Sequence, residues 1–121
     1  MVLKRLEDMF TVFRVGEIGE IDMSADYLFI GRTDEEISCV CPCRYVPDGV
    51  LMREDGWKGF RIEGMLDFSL TGILSGISGI LAENRIGIFA VSTFNTDYVF
   101  VKEENYERAL GALEEHGYEI K

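Results

Sequence analysis

An α+β fold with the element order β-α-β-β-α-β over residues 57–121 is predicted by three patterns in the second half of this 121-residue sequence. Apolar residues recur twice at helical spacing, at Ile73, Leu74, Ile77, Ile80 and Leu81 and again at Tyr106, Ala109, Leu110 and Leu113. Two stretches alternate instead with a period of two: residues 57–64, where Phe60 and Ile62 stand between charged neighbours, and residues 97–101, where aromatic and β-branched residues take turns. Residues 86–91, Ile-Gly-Ile-Phe-Ala-Val, form a short continuous apolar run. Such a run suits a strand buried on both faces in the middle of a sheet. With Tyr118-Glu119-Ile120 as a last strand, the order is the ferredoxin-like split arrangement.

The individual elements carry their own marks. Trp57 is out of phase with Phe60 and Ile62, and Gly59 between them is the expected bulge that restores the phase. The first helix contains Gly72, Gly76 and Gly79, each costing about 1 kcal/mol relative to alanine, so close packing or a ligand is expected to require small residues there. Residues 92–96 form the connection between the two central strands. Glu103 and Glu104 suit the positive end of the second helix, and His116 and Gly117 close it.

Residues 1–56 read as a shortened, strand-rich half and residues 57–121 as a complete domain. Phe29 to Cys41 can be laid on Phe89 to Val101 with a constant offset of 60, matching Thr33 with Thr93 and Cys39-Val40-Cys41 with Val99-Phe100-Val101. Phe13-Arg14-Val15 lies on Phe60-Arg61-Ile62 at an offset of 47. The difference, 13 residues, is about the length of one helix, and residues 17–26 hold no long apolar stripe. The first half is therefore expected to be a repeat that lacks its first helix.

Composition excludes several classes. Twenty-two acidic against twelve basic residues give a formal net charge of −10, which repels nucleic acid and anionic lipid surfaces. No stretch approaches the roughly 18 apolar residues of a membrane span, and the acidic start is unlike a secretory signal, so a cytoplasmic location is expected. Cys39, Cys41 and Cys43 are odd in number and spaced by two, which argues against a disulfide framework. On a strand they share one face with no fourth ligand nearby, so buried thiols are expected and no metal. No nucleophile has a recognisable base, and phosphate loops and metal-spaced histidine pairs are missing; the reading is a protein that is not an enzyme and needs no cofactor.

Several stretches carry a family resemblance. Residues 32–38, Val40-Cys41-Pro42, Gly56-Trp57, residues 63–74 and residues 88–98 resemble the small bacterial and archaeal proteins with tandem ACT-like domains, a branch that also looks like the repeating unit of the CASTOR arginine sensors. The resemblance implies two ACT-like units, side-by-side sheet assembly into a homodimer, and binding of an amino acid at the junction between units. In the sensors the ligand lies near the loop before the first helix and the loop between the central strands. The matching positions are Asp67, Phe68, Ser69, Leu70, Gly72 and Ile73, with Ser92, Thr93, Asn95, Thr96 and Asp97. Ser69-Leu70-Thr71 replaces the acidic residue that the sensors carry in the first loop, so arginine specificity is not implied.

The residues themselves give this site a physical basis. A helix beginning near Ser69 to Thr71 has unpaired N–H groups at its start, and Gly72 lets a carboxylate approach them. Asp97 offers a charged acceptor to an α-amino group, and Ser92, Thr93 and Thr96 offer hydroxyls. Each residue also has a plainer role: Ser69 or Thr71 as an N-cap, Asp97 as a turn-closing side chain. The function read from sequence is a regulatory or sensory amino-acid-binding module. The alternative is a ligand-free module for oligomerisation or protein interaction through an exposed sheet edge.

Overall fold

The computed structural model describes residues 1–64 and 72–121. In chain order the elements are β1 (Val2–Arg5), β2 (Phe10–Val15), β3 (Phe29–Arg32), β4 (Ile37–Pro42), β5 (Met52–Ile62), α1 (Ile73–Glu83), β6 (Ile88–Ser92), β7 (Asp97–Lys102), α2 (Glu103–Glu115) and β8 (Glu119–Ile120). Short 3₁₀ turns occupy Ile18–Glu20 and Cys43–Tyr45. The chain divides into two compact units, Met1–Glu7 with Lys58–Lys121, and Asp8–Trp57.

The first unit has the strand order β6-β7-β5-β1-β8 and both α-helices. Its β5-α1-β6-β7-α2-β8 sequence is the expected α+β split order. Both predicted apolar stripes form its core: Ile77 and Leu81 of α1, and Tyr106, Ala109, Leu110 and Leu113 of α2, pack on Leu3, Phe60, Ile62, Val99 and Val101. Period-two alternation explains the strand contributions, since Phe60 and Ile62, and Val99 and Val101, each share one face. Gly117, in the left-handed region at φ +95, ends α2 and lets the Tyr118 N–H donate back to the Leu113 carbonyl at 3.1 Å.

Sequence patterns had no element at residues 2–5, yet β1 is inserted between β5 and β8. It runs antiparallel to β5, with Leu3 opposite Ile62, and parallel to β8, with Leu3 opposite Ile120. The apolar run at 86–91 is not the central strand expected. Among the described residues β6 pairs only with β7, and its side chains are partly exposed. Its apolar character serves two faces: Ile88 packs on the helical core, and the Phe89 ring stacks on Phe100 at 4.8 Å on the other.

The expected bulge is also moved. In β5 the register against β2 shifts between the pairs Phe10 with Trp57 and Val12 with Glu54, placing the extra residue beside Gly56 at φ +91. Gly59 has a different task, because a Cβ there would lie 2.7 Å from the Phe100 ring.

The second unit has the order β3-β4-β2-β5, the last through residues 52–57. Its hairpin registers repeat those of the first unit at the offset of 60: Phe29 pairs with Val40 as Phe89 with Phe100, and Arg32 with Ile37 as Ser92 with Asp97. The turns match as well, the Thr33 N–H donating to the Glu36 carbonyl at 2.9 Å and the Thr93 N–H to the Thr96 carbonyl at 2.9 Å. The second helix of the first unit has no counterpart either: Cys43–Tyr45, 60 residues before the start of α2, is only a 3₁₀ turn. Loops instead cover a small core of Phe13, Val15, Ile21, Cys39 and Cys41.

Burial of these groups has a consequence at alkaline pH. Burial, aided by Cys39 and Cys43 nearby, pushes the Cys41 thiol up to about 11 from its ordinary 9.0. Burial also pushes Tyr106 up to about 12 from 10.0. Between the unfolded and folded pKa values the native state holds protons that the unfolded chain has released, so stability falls as pH rises through each window. The urea midpoint is expected to decline from about pH 9 upward. Cys41→Val should flatten the first part of that decline, and a wild-type midpoint level from pH 9 to 11 would contradict the buried thiol.

Candidate functional site

At the end of β5, the alternation that sends Phe60 and Ile62 into the core puts Arg61 and Glu63 together on the other face. Arg61 Nε donates to Glu63 Oε2 at 3.2 Å. A hydrogen bond to Tyr98 of β7 is the main cause holding the Arg61 pKa above its ordinary value; burial opposes it and Glu63 assists.

The β6–β7 hairpin supplies the opposite side. The Thr93 hydroxyl donates to the Thr96 carbonyl at 2.9 Å and accepts the Thr96 N–H at 3.3 Å, so the turn is closed twice. Ser92 Oγ donates to Asp97 Oδ1 at 2.6 Å, tying the two strand ends. The buried Thr96 hydroxyl donates to the Ile62 carbonyl at 2.8 Å and so fixes the hairpin to the end of β5.

Between these elements lies a cleft of about 350 Å³, lined by Arg61, Ile62, Glu63, Gly64, Asn95, Thr96 and Tyr98. It presents one guanidinium, one carboxylate, a primary amide and a phenol, the complement needed for a small ligand carrying both charges. Among the described residues no group of three His, Cys, Asp or Glu side chains could hold a metal ion.

Of the residues expected from sequence, Asn95 and Thr96 line this cleft. Ser92, Thr93 and Asp97 make hydrogen bonds within the hairpin, and Asp97 accepts the Ser92 hydroxyl. Gly72 and Ile73 line a separate cavity of about 370 Å³ with Met1, His116, Gly117 and Tyr118. Asp67, Phe68, Ser69 and Leu70 lie outside the described residues. Sequence reading missed Arg61, Glu63 and Tyr98. The available signal was an Arg-x-Glu-Gly ending to a strand, which puts both charges on one face beside a glycine with φ +95.

The family model for the ACT domain matches residues 52–115, which span this cleft. No curated protein matches the chain in sequence. Among solved structures, an Agobacterium tumefaciens protein is 32% identical with a TM-score of 0.86, covering 99% of this chain and 91% of its own. A Vibrio cholerae protein, described as of unknown function and a possible transport protein, is 18% identical with a TM-score of 0.74 over 94% of this chain and 88% of its own. The ligand-free regulatory subunit of aspartate kinase from Thermus thermophilus is 12% identical with a TM-score of 0.66, over 93% of this chain and 95% of its own, and shares the fold. With the domain match covering more than half of its length, this chain belongs to the ACT domain family.

Proposed function

We propose that this chain is a regulatory protein that binds a small molecule, that the ligand is an amino acid, and that the Arg61 cleft receives it. The observation that carries this is the pairing of Arg61 and Glu63 at 3.2 Å on one wall of a cleft with Asn95 and Thr96 on the other. A zwitterion can exchange that ion pair for two of its own, its carboxylate on the guanidinium and its ammonium on Glu63. Asn95 then serves the ligand's remaining polar groups. The family resemblance also proposes as ligand-binding positions Gly72 and Ile73, which line the separate cavity, together with Asp67, Phe68, Ser69, Leu70, Ser92, Thr93 and Asp97, and it proposes kinship with tandem ACT-like sensors.

Repetition of the hairpin register at an offset of 60 supports reading the two units as two ACT-like repeats. The edge strand β6 has no lysine, proline or bulge that would discourage pairing, which supports side-by-side homodimers. The composition fits a cytoplasmic protein without catalytic activity.

Titration calorimetry with each amino acid tests the ligand. One of them is expected to bind selectively, and Arg61→Gln to weaken it by roughly 10- to 100-fold, the worth of a charge-assisted hydrogen bond. Failure of every amino acid at millimolar concentration, or an Arg61→Gln variant that binds as tightly as wild type, would overturn the assignment.

A further inference from the structure

The second unit, Asp8–Trp57, contains eleven acidic and four basic residues, a net charge of −7 out of −10 for the chain. Strand register gathers part of this charge at one end. Val15, the last residue of β2, pairs with Ile37, the first of β4, and Ile37 pairs with Arg32, the last of β3. Met52, the first residue of β5, pairs with Arg14, and the Leu51 N–H donates to the Arg14 carbonyl at 2.9 Å. The 3₁₀ turn Ile18–Glu20 follows directly from β2. Three connections therefore meet at the same end of the sheet: residues 16–20, residues 33–36 and the start of β5.

The side chains there are of three kinds. Ile18, Leu51 and Met52 are large, apolar and exposed at 44%, 62% and 65%. Glu17, Glu20, Asp34, Glu35 and Glu36 lie on the connections at this same end and are exposed too. Arg14 and Arg32 are the basic residues at the strand ends, and the Arg53 guanidinium is taken by Asp55 at 3.0 Å. Single exposed apolar residues are ordinary. Three at one end of a small unit, on or beside connections with an excess of carboxylates, give that end a defined chemistry.

We propose that this end of the second unit docks a basic amphipathic helix of a partner protein, with its apolar side chains on Ile18, Leu51 and Met52 and its lysines or arginines against Glu17, Glu20 and residues 34–36. Charge complementarity selects this occupant. A second copy presents the same negative unit and is repelled, as are nucleic acids and anionic membranes. Helix docking of this kind uses apolar anchors at i, i+3, i+4 and i+7 and charged flanks for register. The surface lies wholly within Asp8–Trp57 and the Arg61 cleft wholly outside it, so either reading can fail without the other.

The test uses the full chain and a fluorescent synthetic helix of about five turns, leucine on one face and lysine on the other. Two control peptides replace its lysines by glutamate or its leucines by serine. The basic amphipathic peptide is expected to bind at micromolar concentration, both controls roughly tenfold or more weakly, and the double variant Leu51→Ser, Met52→Ser to lose roughly tenfold in affinity. Amide shift changes should fall on residues 17–20, 34–36 and 51–52, with the variant's melting temperature unchanged. Equal binding by the serine control, shift changes centred on the acidic ends of α2, or no binding at all would overturn the proposal. Concentration-dependent self-association lost in the double variant would also overturn it, in favour of contact between copies of this chain.

Discussion

Replacing Gly59 by alanine is expected to destabilise the helical unit by about 1–3 kcal/mol, the usual cost of adding a methyl group to a full interior. The new Cβ would meet Phe100 Cε1 at 2.7 Å and Cδ1 at 2.8 Å, with the Val99 carbonyl oxygen at 3.3 Å. Phe100 is completely buried and stacked on Phe89, so its ring has little room to yield. Backbone movement is restrained as well, because the Gly59 carbonyl accepts both the Leu6 N–H at 3.0 Å and the Tyr106 hydroxyl at 2.7 Å. Urea unfolding of Gly59→Ala, Phe100→Leu and the double variant checks the cause. The double variant should cost less than the sum of the two changes, since the smaller side chain removes the clash. Additive losses would mean that Gly59 matters for another reason.

Leu3→Ala is expected to cost about 2–5 kcal/mol, the range for emptying a buried leucine site. Leu3 has no solvent exposure and faces Phe60, Ile62 and the buried sides of both helices in one cluster. It also sits where β1 is bonded on both edges, opposite Ile62 on one side and Ile120 on the other. A cavity there leaves the lining without partners that the paired backbone cannot move to replace. The thermal midpoint of Leu3→Ala should fall by many degrees, while Lys4→Ala, on the exposed face of the same strand, should move it little. Equal effects of the two changes would show that β1 acts as a backbone spacer alone.

Most of the candidate site was open to sequence reading only in outline. Residues 92–96 could be read as a connection because they interrupt two strands of clear pattern, and the family resemblance implied a place for them in the site. Their hydroxyls also have partners within the protein that no pattern announces: Ser92 bonds Asp97, Thr93 closes the turn and Thr96 bonds the Ile62 carbonyl. Arg61 and Glu63 looked like the wet side of a half-buried strand. Their place in the cleft comes from Tyr98 and Asn95, more than thirty residues along the chain, and no local pattern announces such a neighbour.

By itself the sequence determined the element types and order of residues 57–121, the apolar faces of both helices and the offset that relates the two hairpins. Each depends on periodicity or on side chains near one another in the chain, and such terms act before the chain is compact. Tertiary structure alone decided that β1 joins the helical unit, that β6 stands at an edge, that the bulge falls beside Gly56 and not at Gly59, and that Arg61 faces the hairpin. Those outcomes depend on which strand lies beside which. Strand choice is made by long-range burial and backbone pairing, to which a strand of four residues such as β1 contributes no periodicity long enough to read.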